Sequence, residues 1–126
     1  MNEEQFAKGH KIRSEVMGAS YVDKSVEDAD DFMRPMLELT TEYCWGEVWS
    51  RDDLPRKTRS LLNIVMLTAL GRPTELGGHV RGAINNGVTV EEIRGAILHA
   101  AIYCGIPAGI DSARVAHGVL KDLGKI

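Results

Sequence analysis

Apolar residues recur along this chain at intervals of three and four positions, the spacing that predicts amphipathic helices. No segment alternates apolar and polar residues over a sustained run, and the Asn86-Gly87 pair lies between helical segments rather than β-rich ones. The pattern therefore predicts an all-α fold, a single-domain bundle of about six or seven helices that spans residues 1–126.

Capping residues mark the ends of the predicted helices. The predicted C-terminal glycines are Gly18, Gly71, Gly87 and Gly105. The predicted N-caps are Ser25, Asp53 and Thr89, the last in a capping box with Glu92. The predicted helices are residues 3–17, 26–33, a helix from Arg34 or Pro35 to Tyr43, a segment from Pro55 to Gly71, a segment from Pro73 that residues 85–87 close, residues 90–103 and a last helix from Ile106. Residues 19–24 are predicted to be a connection.

The apolar stripes also predict which residues point inward. Residues 61–70 are apolar on nearly every side and predict a central helix surrounded by protein. In the third helix the predicted inward residues are Met36, Leu39 and Tyr43, with Leu37 as a further candidate. His99 lies on a mostly apolar helix, which favours a hydrogen-bonded core histidine.

Composition narrows the class of protein. The chain has 126 residues, 44% of them hydrophobic and 26% charged, with a formal net charge of −3. The mild acidity gives no basic face for nucleic acid and no polybasic patch for a membrane surface. No signal peptide is recognisable, and Cys44 and Cys104 are far apart in no CxxC pair. These features predict a cytoplasmic protein with two free, buried thiols.

The stretch Gly71 to Gly87 gathers the most reactive set of side chains. Arg72, Glu75 and His79 follow each other at i, i+3 and i+7, so they share one face of a helix, and Arg81 follows. A cation, a carboxylate and an imidazole in a row could orient an acidic substrate and move a proton. A solvated, salt-bridged helix start fits the same spacing.

A second cluster holds three of the chain's aromatic residues. Tyr43, Trp45 and Trp49 surround Gly46, and Arg51 follows. The cluster fits either a helix end sealed by large side chains or the wall of a flat pocket with Arg51 at its rim. No GxGxxG, P-loop, HExxH, GxSxG or zinc-type cysteine spacing accompanies it.

Four segments together resemble the 4-carboxymuconolactone decarboxylase branch of the carboxymuconolactone decarboxylase family. They are WGEVWSR (45–51), LPRKTRSLL (54–62), ALGRPTELGGHVRGAINNGVTVEEI (69–93) and YCGIPAG (103–109). The resemblance implies an all-helical, alkyl hydroperoxidase D-like fold, a ring-like homohexamer and no cofactor. It also implies conversion of 4-carboxymuconolactone, a small anionic lactone, to the enol-lactone of 3-oxoadipate in protocatechuate breakdown by the β-ketoadipate pathway.

The same superfamily contains disulfide reductases that carry a glutamate, a CxxC and a histidine. Laid along this chain, that pattern puts the histidine at His79, the cysteines at Arg72 and Glu75, and the glutamate at Ser60. Thiol–disulfide exchange needs both an attacking and a resolving sulfur, so we expect no peroxidase activity.

The resemblance then suggests roles for the candidate residues. His79 is the expected proton donor, with Glu75 orienting its ring, and Arg72 completes the catalytic set. The expected substrate-binding residues are Arg51, Arg81, Trp45 and Trp49. Structural alternatives are a helix-dipole role for Glu75 and a subunit salt bridge for Arg81. At the level of function, the alternatives are a non-catalytic or differently specialised helical oligomer that binds an acidic metabolite, and an enzyme for a related lactone or β-keto acid.

Overall fold

The computed structural model describes all 126 residues and contains helices but no strands, so the all-α prediction is confirmed. Contacts divide the chain into two compact units, Met1–Leu54 and Pro55–Ile126, and each is described by itself. The prediction of one domain over residues 1–126 stays a prediction. No helix has the length and apolarity that a membrane crossing requires.

The first unit holds three α-helices and a π-helical segment. They are α1 (Glu3–Met17), α2 (Ala19–Glu27), α3 (Arg34–Leu39) and the π-helical segment Thr40–Val48. The second unit holds α4 (Arg56–Leu70), α5 (Pro73–Asn85), α6 (Val90–Cys104) and α7 (Ile106–Asp122).

In the first unit, α1 and the π-helical segment approach each other at two glycines. A Cβ atom on Gly9 would collide with the carbonyl oxygen of Thr41, and one on Gly46 would lie 2.8 Å from Nε2 of Gln5. Only residues without a side chain allow the two backbones to come this close. The core beside this contact consists of Ile12, Val16, Met17, Val22, Trp45 and Trp49.

In the second unit, α4 packs against α5, α6 and α7 around one apolar cluster. Its fully buried members include Ile64, Leu76, Val80 and Ala83. The cluster holds α5 on α4, and the turn between them uses Gly71 in the left-handed conformation, with φ of 67°. The predicted C-terminal glycine at this position is therefore confirmed.

Polar contacts also join α4 to its neighbours. Asn86 Nδ2 at the end of α5 donates to Ser60 Oγ on α4 at 2.9 Å. The predicted capping box is confirmed, since Thr89 Oγ1 accepts from the Glu92 N–H and Glu92 accepts from the Thr89 N–H. These hydrogen bonds and Lys57 hold the pKa of Glu92 below its usual range.

Several predicted boundaries in the first unit are wrong. Residues 19–24 belong to α2 rather than to a connection, because Gly18 ends α1 and starts α2 in a single residue with φ of 101°. Ser25 is not an N-cap, since its hydroxyl donates to the Val22 carbonyl in the last turn of α2. Residues 28–33 form turns instead of a helix, with Asp30 accepting from the Met33 N–H.

The predicted inward face of the third helix is also wrong. Met36, Leu39 and Tyr43 are 59%, 60% and 64% exposed in this chain. The helix continues as the π-helical segment and buries Thr41 and Trp45 instead, because that side carries the close contact with α1.

The predicted N-cap and the predicted burial of α4 both need correction. Asp53 does not cap α4, because its carboxylate accepts from Arg51 Nε and Pro55 occupies the N-cap. The central helix is not apolar all round: Met66 is half exposed, and Thr68 is buried with its hydroxyl donating to the Ile64 carbonyl.

The last two helices are more exposed than predicted. His99 is not a core histidine but an exposed one, with its ring 4.8 Å from that of Tyr103. Cys104 is exposed as well, at the end of α6, whereas Cys44 is partly buried. The periodicity of the sequence identified the apolar stripe on each helix. It did not show whether other helices of the same chain bury that stripe.

We predict that Gly9→Ala lowers the free energy of unfolding by about 1–3 kcal/mol, because the new methyl group overpacks the contact with the π-helical segment. Gly118→Ala is the control. Its Cβ would meet no atom within 4 Å, so it should stabilise α7 by up to about 1 kcal/mol. Urea unfolding followed by circular dichroism measures both, and equal stabilities for the two variants would contradict the close packing at Gly9.

Candidate active site

The candidate site begins with the way α5 is positioned. Pro73 occupies the first turn, where its missing N–H costs nothing, and Arg72 is the N-cap. Leu76, Val80 and Ala83 are completely buried and fix the rotation of α5 about its axis. The polar residues between them therefore have defined directions.

His79 faces α4, where it meets Asn63. The Nδ2 atom of Asn63 lies 3.4 Å from Nδ1 of the imidazole, and both side chains are partly buried. Each is followed in the chain by a completely buried residue, Ile64 after Asn63 and Val80 after His79. The core of the second unit thus fixes both ends of this contact. Sequence reasoning did not identify Asn63, because it lies on a different helix from the charged stretch.

The other predicted members of this face are exposed. Arg72, Glu75 and Arg81 all lie at the surface of α5 and make no ion pair within the chain. The contact expected between Glu75 and the imidazole is absent, and an exposed carboxylate in the first turn fits the helix-dipole alternative. A catalytic role for Glu75 stays a prediction.

Arg72 also borders a groove that the sequence did not indicate. The groove has a volume of about 420 Å³ and lies where the end of α4 and the start of α5 meet α7. A second arginine, Arg114, lines it, together with the carboxylate of Asp111 and the buried residues Thr68 and Ser112. Two guanidinium groups in one groove can bind a carboxylate. Arg114 is 42 positions from Arg72, so no local motif could join them.

Arg72 and His79 are well separated along α5. They are seven positions apart, and a rise of 1.5 Å per residue puts about 10 Å between them along the helix axis.

The remaining predicted residues belong to the first unit. Trp45 and Trp49 are 4% and 5% exposed, and their rings stack with centroids 4.6 Å apart. This burial fits the sealed helix end, the structural alternative for the aromatic cluster. Arg51 is exposed, and its Nε donates to Asp53 Oδ2 at 2.7 Å, which raises the pKa of its guanidinium further.

The positions matched to redox residues hold no redox chemistry in this chain. Ser60, matched to the glutamate, is completely buried and accepts a hydrogen bond from Asn86. Neither cysteine lies near His79 in sequence, and both thiols are free. Burial raises the pKa of the Cys44 thiol above its ordinary value, with Arg13 and a hydrogen bond to Trp49 opposing that shift.

Comparisons with known proteins agree with the resemblance seen in the sequence. A family model described as the carboxymuconolactone decarboxylase family matches residues 34–118. The chain is 46% identical to a 4-carboxymuconolactone decarboxylase of Acinetobacter baylyi, over 98% of this chain and 93% of the relative. It is 48% identical to a nitrosuccinic acid decarboxylase of Metarhizium robertsii, over 94% of this chain and 82% of the relative. The protein therefore belongs to the carboxymuconolactone decarboxylase family.

Proposed function

We propose that this protein is a carboxy-lyase that converts 4-carboxymuconolactone to the enol-lactone of 3-oxoadipate and carbon dioxide. The observation that carries the proposal is the 46% identity to a named 4-carboxymuconolactone decarboxylase over nearly the whole chain. The partly buried imidazole of His79, on the same helix as the unpaired cations Arg72 and Arg81, supplies chemistry that suits this reaction.

The substrate itself provides the electron sink. The bond between the ring carbon and the carboxylate breaks, and its electron pair moves through the double bond into the lactone carbonyl. The product of this step is a dienolate, which then takes up a proton on carbon. The protein has to bind the remaining carboxylate, stabilise the developing oxyanion and deliver that proton, and these tasks need no cofactor.

We assign these tasks to the candidate residues. His79 delivers the proton, and Arg72 and Arg81, which lie in the same unit, bind the carboxylate or the oxyanion. A binding role for Arg51, in the first unit, stays a prediction. Glu75 acts from the first turn of α5 through its charge, since it does not contact the ring. Trp45 and Trp49 are buried, so direct contact of their rings with the substrate stays a prediction.

A second substrate class deserves a test because of the nitrosuccinic acid decarboxylase, which is 48% identical. In nitrosuccinate a nitro group could accept the electron pair in place of the lactone carbonyl. The demands on the protein are the same: a cation for the remaining carboxylate and a proton for carbon. The same side chains of α5 are therefore candidates for both molecules, whichever group accepts the electron pair.

We also propose that the protein works as a homo-oligomer, a hexamer by family resemblance. A groove of about 470 Å³ between α6 and α7 is lined almost entirely by apolar side chains. Beside it, Leu98, Ile102 and Tyr103 are 61%, 76% and 78% exposed. Contiguous apolar surface of this kind is typical of an interface. The free thiols support a cytoplasmic location, where the β-ketoadipate pathway would use the enzyme.

The deciding experiment adds purified protein separately to 4-carboxymuconolactone and to nitrosuccinate. We expect loss of the lactone's ultraviolet absorbance with release of one equivalent of carbon dioxide. Faster turnover of nitrosuccinate would move the assignment to that substrate. Tight binding of either acid without carbon dioxide release would replace the enzyme by a metabolite-binding oligomer.

We predict that His79→Gln lowers kcat by a factor of about 10²–10⁴, the usual contribution of a general acid, with little effect on stability. His10→Gln is the matched control, since the same change is made at a histidine of α1, outside the second unit. Steady-state kinetics and thermal unfolding of both variants test this. Near-normal turnover of His79→Gln would remove the imidazole as the proton donor.

We predict that Ile102→Glu reduces the assembly to smaller species, because it puts a charge into the exposed apolar surface of α6. Lys121→Glu, a change at an exposed position of α7, should leave the assembly unchanged. Light scattering coupled to size-exclusion chromatography measures the mass of each. An unchanged mass for Ile102→Glu would place the interface elsewhere.

A further inference from the structure

We propose that Asn63 is a positioning residue for His79, which holds the imidazole in one orientation in both of its protonation states. The proposal rests on the proposed role of His79 as the proton donor. The observation behind it is the contact across two helices, with Asn63 Nδ2 placed 3.4 Å from His79 Nδ1.

The surroundings make this contact a fixed feature of the second unit. Ile64 and Val80, the next residues along α4 and α5, are completely buried in the same apolar cluster. Further along the same pair of helices, Asn86 bridges to Ser60 at 2.9 Å. Buried side chains and this hydrogen bond thus set the spacing between α4 and α5 near the contact, and a turn of the His79 ring would break its contact with Asn63.

The orientation of the ring decides which nitrogen can act. With Nδ1 accepting from the amide, the neutral ring carries its proton on Nε2, the nitrogen directed away from Asn63. When the ring is protonated, Nδ1 becomes a donor, and a turn of the amide offers Oδ1 as the acceptor. One neutral side chain therefore satisfies Nδ1 before and after Nε2 has delivered its proton.

A carboxylate at this position would act differently. An opposite charge within hydrogen-bonding distance stabilises the imidazolium and raises the pKa of the ring, which makes it a weaker acid. A proton donor works best when its pKa lies near the working pH. The amide of Asn63 orients the ring without adding a charge, and Glu75, the carboxylate one turn before His79, does not contact it.

The other charged groups around the ring remain the same in every variant below. On α5 they are Glu75 and Arg81, and on α4 Arg59 lies one turn before Asn63 and is only 9% exposed. Where α7 packs against α5 it presents apolar side chains, Val115 and Val119, to Gly77. A change in the pKa of His79 on substitution of Asn63 is therefore due to that substitution.

The experiment compares wild-type protein with Asn63→Asp and Asn63→Ala, by nuclear magnetic resonance titration of His79 and by the pH dependence of kcat. In Asn63→Asp we expect the neutral ring to move its proton to Nδ1 and the pKa of His79 to rise by about 1–3. The alkaline limb of kcat should move to higher pH by the same amount. In Asn63→Ala we expect kcat to fall by a factor of about 10 to 100 while KM stays within about twofold, as for a misplaced catalytic group.

Asn86→Ala is the matched control, because it removes an asparagine that bridges the same two helices at Ser60. It should lower stability without altering the protonated nitrogen of His79 or the pH dependence of kcat. Unchanged ring protonation and pKa in Asn63→Asp, or equal losses of kcat in Asn63→Ala and Asn86→Ala, would overturn the proposal. Should Asn63→Asp fail to fold, the comparison between the two alanine variants decides.

The resonance measurements need no substrate. If the wild-type protein decarboxylates neither lactone nor nitrosuccinate, the proposed function fails, yet the position of the proton and the pKa still report whether Asn63 orients the ring. The two proposals can thus fail separately.

Discussion

The packing of α5 on α4 is the interaction on which the candidate site depends. Leu76, Val80 and Ala83 project from one side of α5 into the cluster that contains Ile64 of α4, and all four side chains are completely buried. At about 1.5–3 kcal/mol for each large buried side chain, this stripe outweighs any single surface contact of the helix. The apolar stripe therefore fixes the direction of every polar residue on α5, including His79. The candidate site and the stability of the fold are coupled, because His79 lies between the buried residues Leu76 and Val80 on the same helix.

The second unit follows from its sequence because local signals and burial agree there. Pro73 starts α5, Gly71 ends α4, and the Thr89–Glu92 capping box starts α6, each by a mechanism that involves only neighbouring residues. In the first unit the decisive contact is non-local. Gly9 and Gly46 are distant in sequence, and their close approach determines which side of the π-helical segment is buried. Periodicity alone therefore favoured the wrong face, with Met36 and Tyr43 turned inward.

The candidate site divides in a similar way. Spacing along one helix could identify Arg72, Glu75 and His79, because residues three and seven positions apart lie on the same side. It could not identify Asn63 on α4, which contacts His79, or Arg114 on α7, which lines the groove with Arg72. It also could not decide between a carboxylate and an amide as the neighbour of the imidazole. An exposed glutamate one turn away has many rotamers, and only the packing between helices shows which polar group is held in place.

The proposed role of His79 as a proton donor depends on whether its neighbour is an amide or a carboxylate. A positioned carboxylate would stabilise the charged ring and oppose release of its proton, whereas an amide leaves the acidity of the ring to the substrate and to the surrounding arginines. When an anionic substrate binds, its charge favours the protonated imidazole. Loss of carbon dioxide then produces a dienolate, and the protonated ring delivers its proton to a carbon atom of that dienolate. A neutral partner lets the charge on the ring follow the charge on the substrate. Arg72 and Glu75 thus supply charged groups at the start of α5, and the contact between Asn63 and His79 sets the orientation of the imidazole ring.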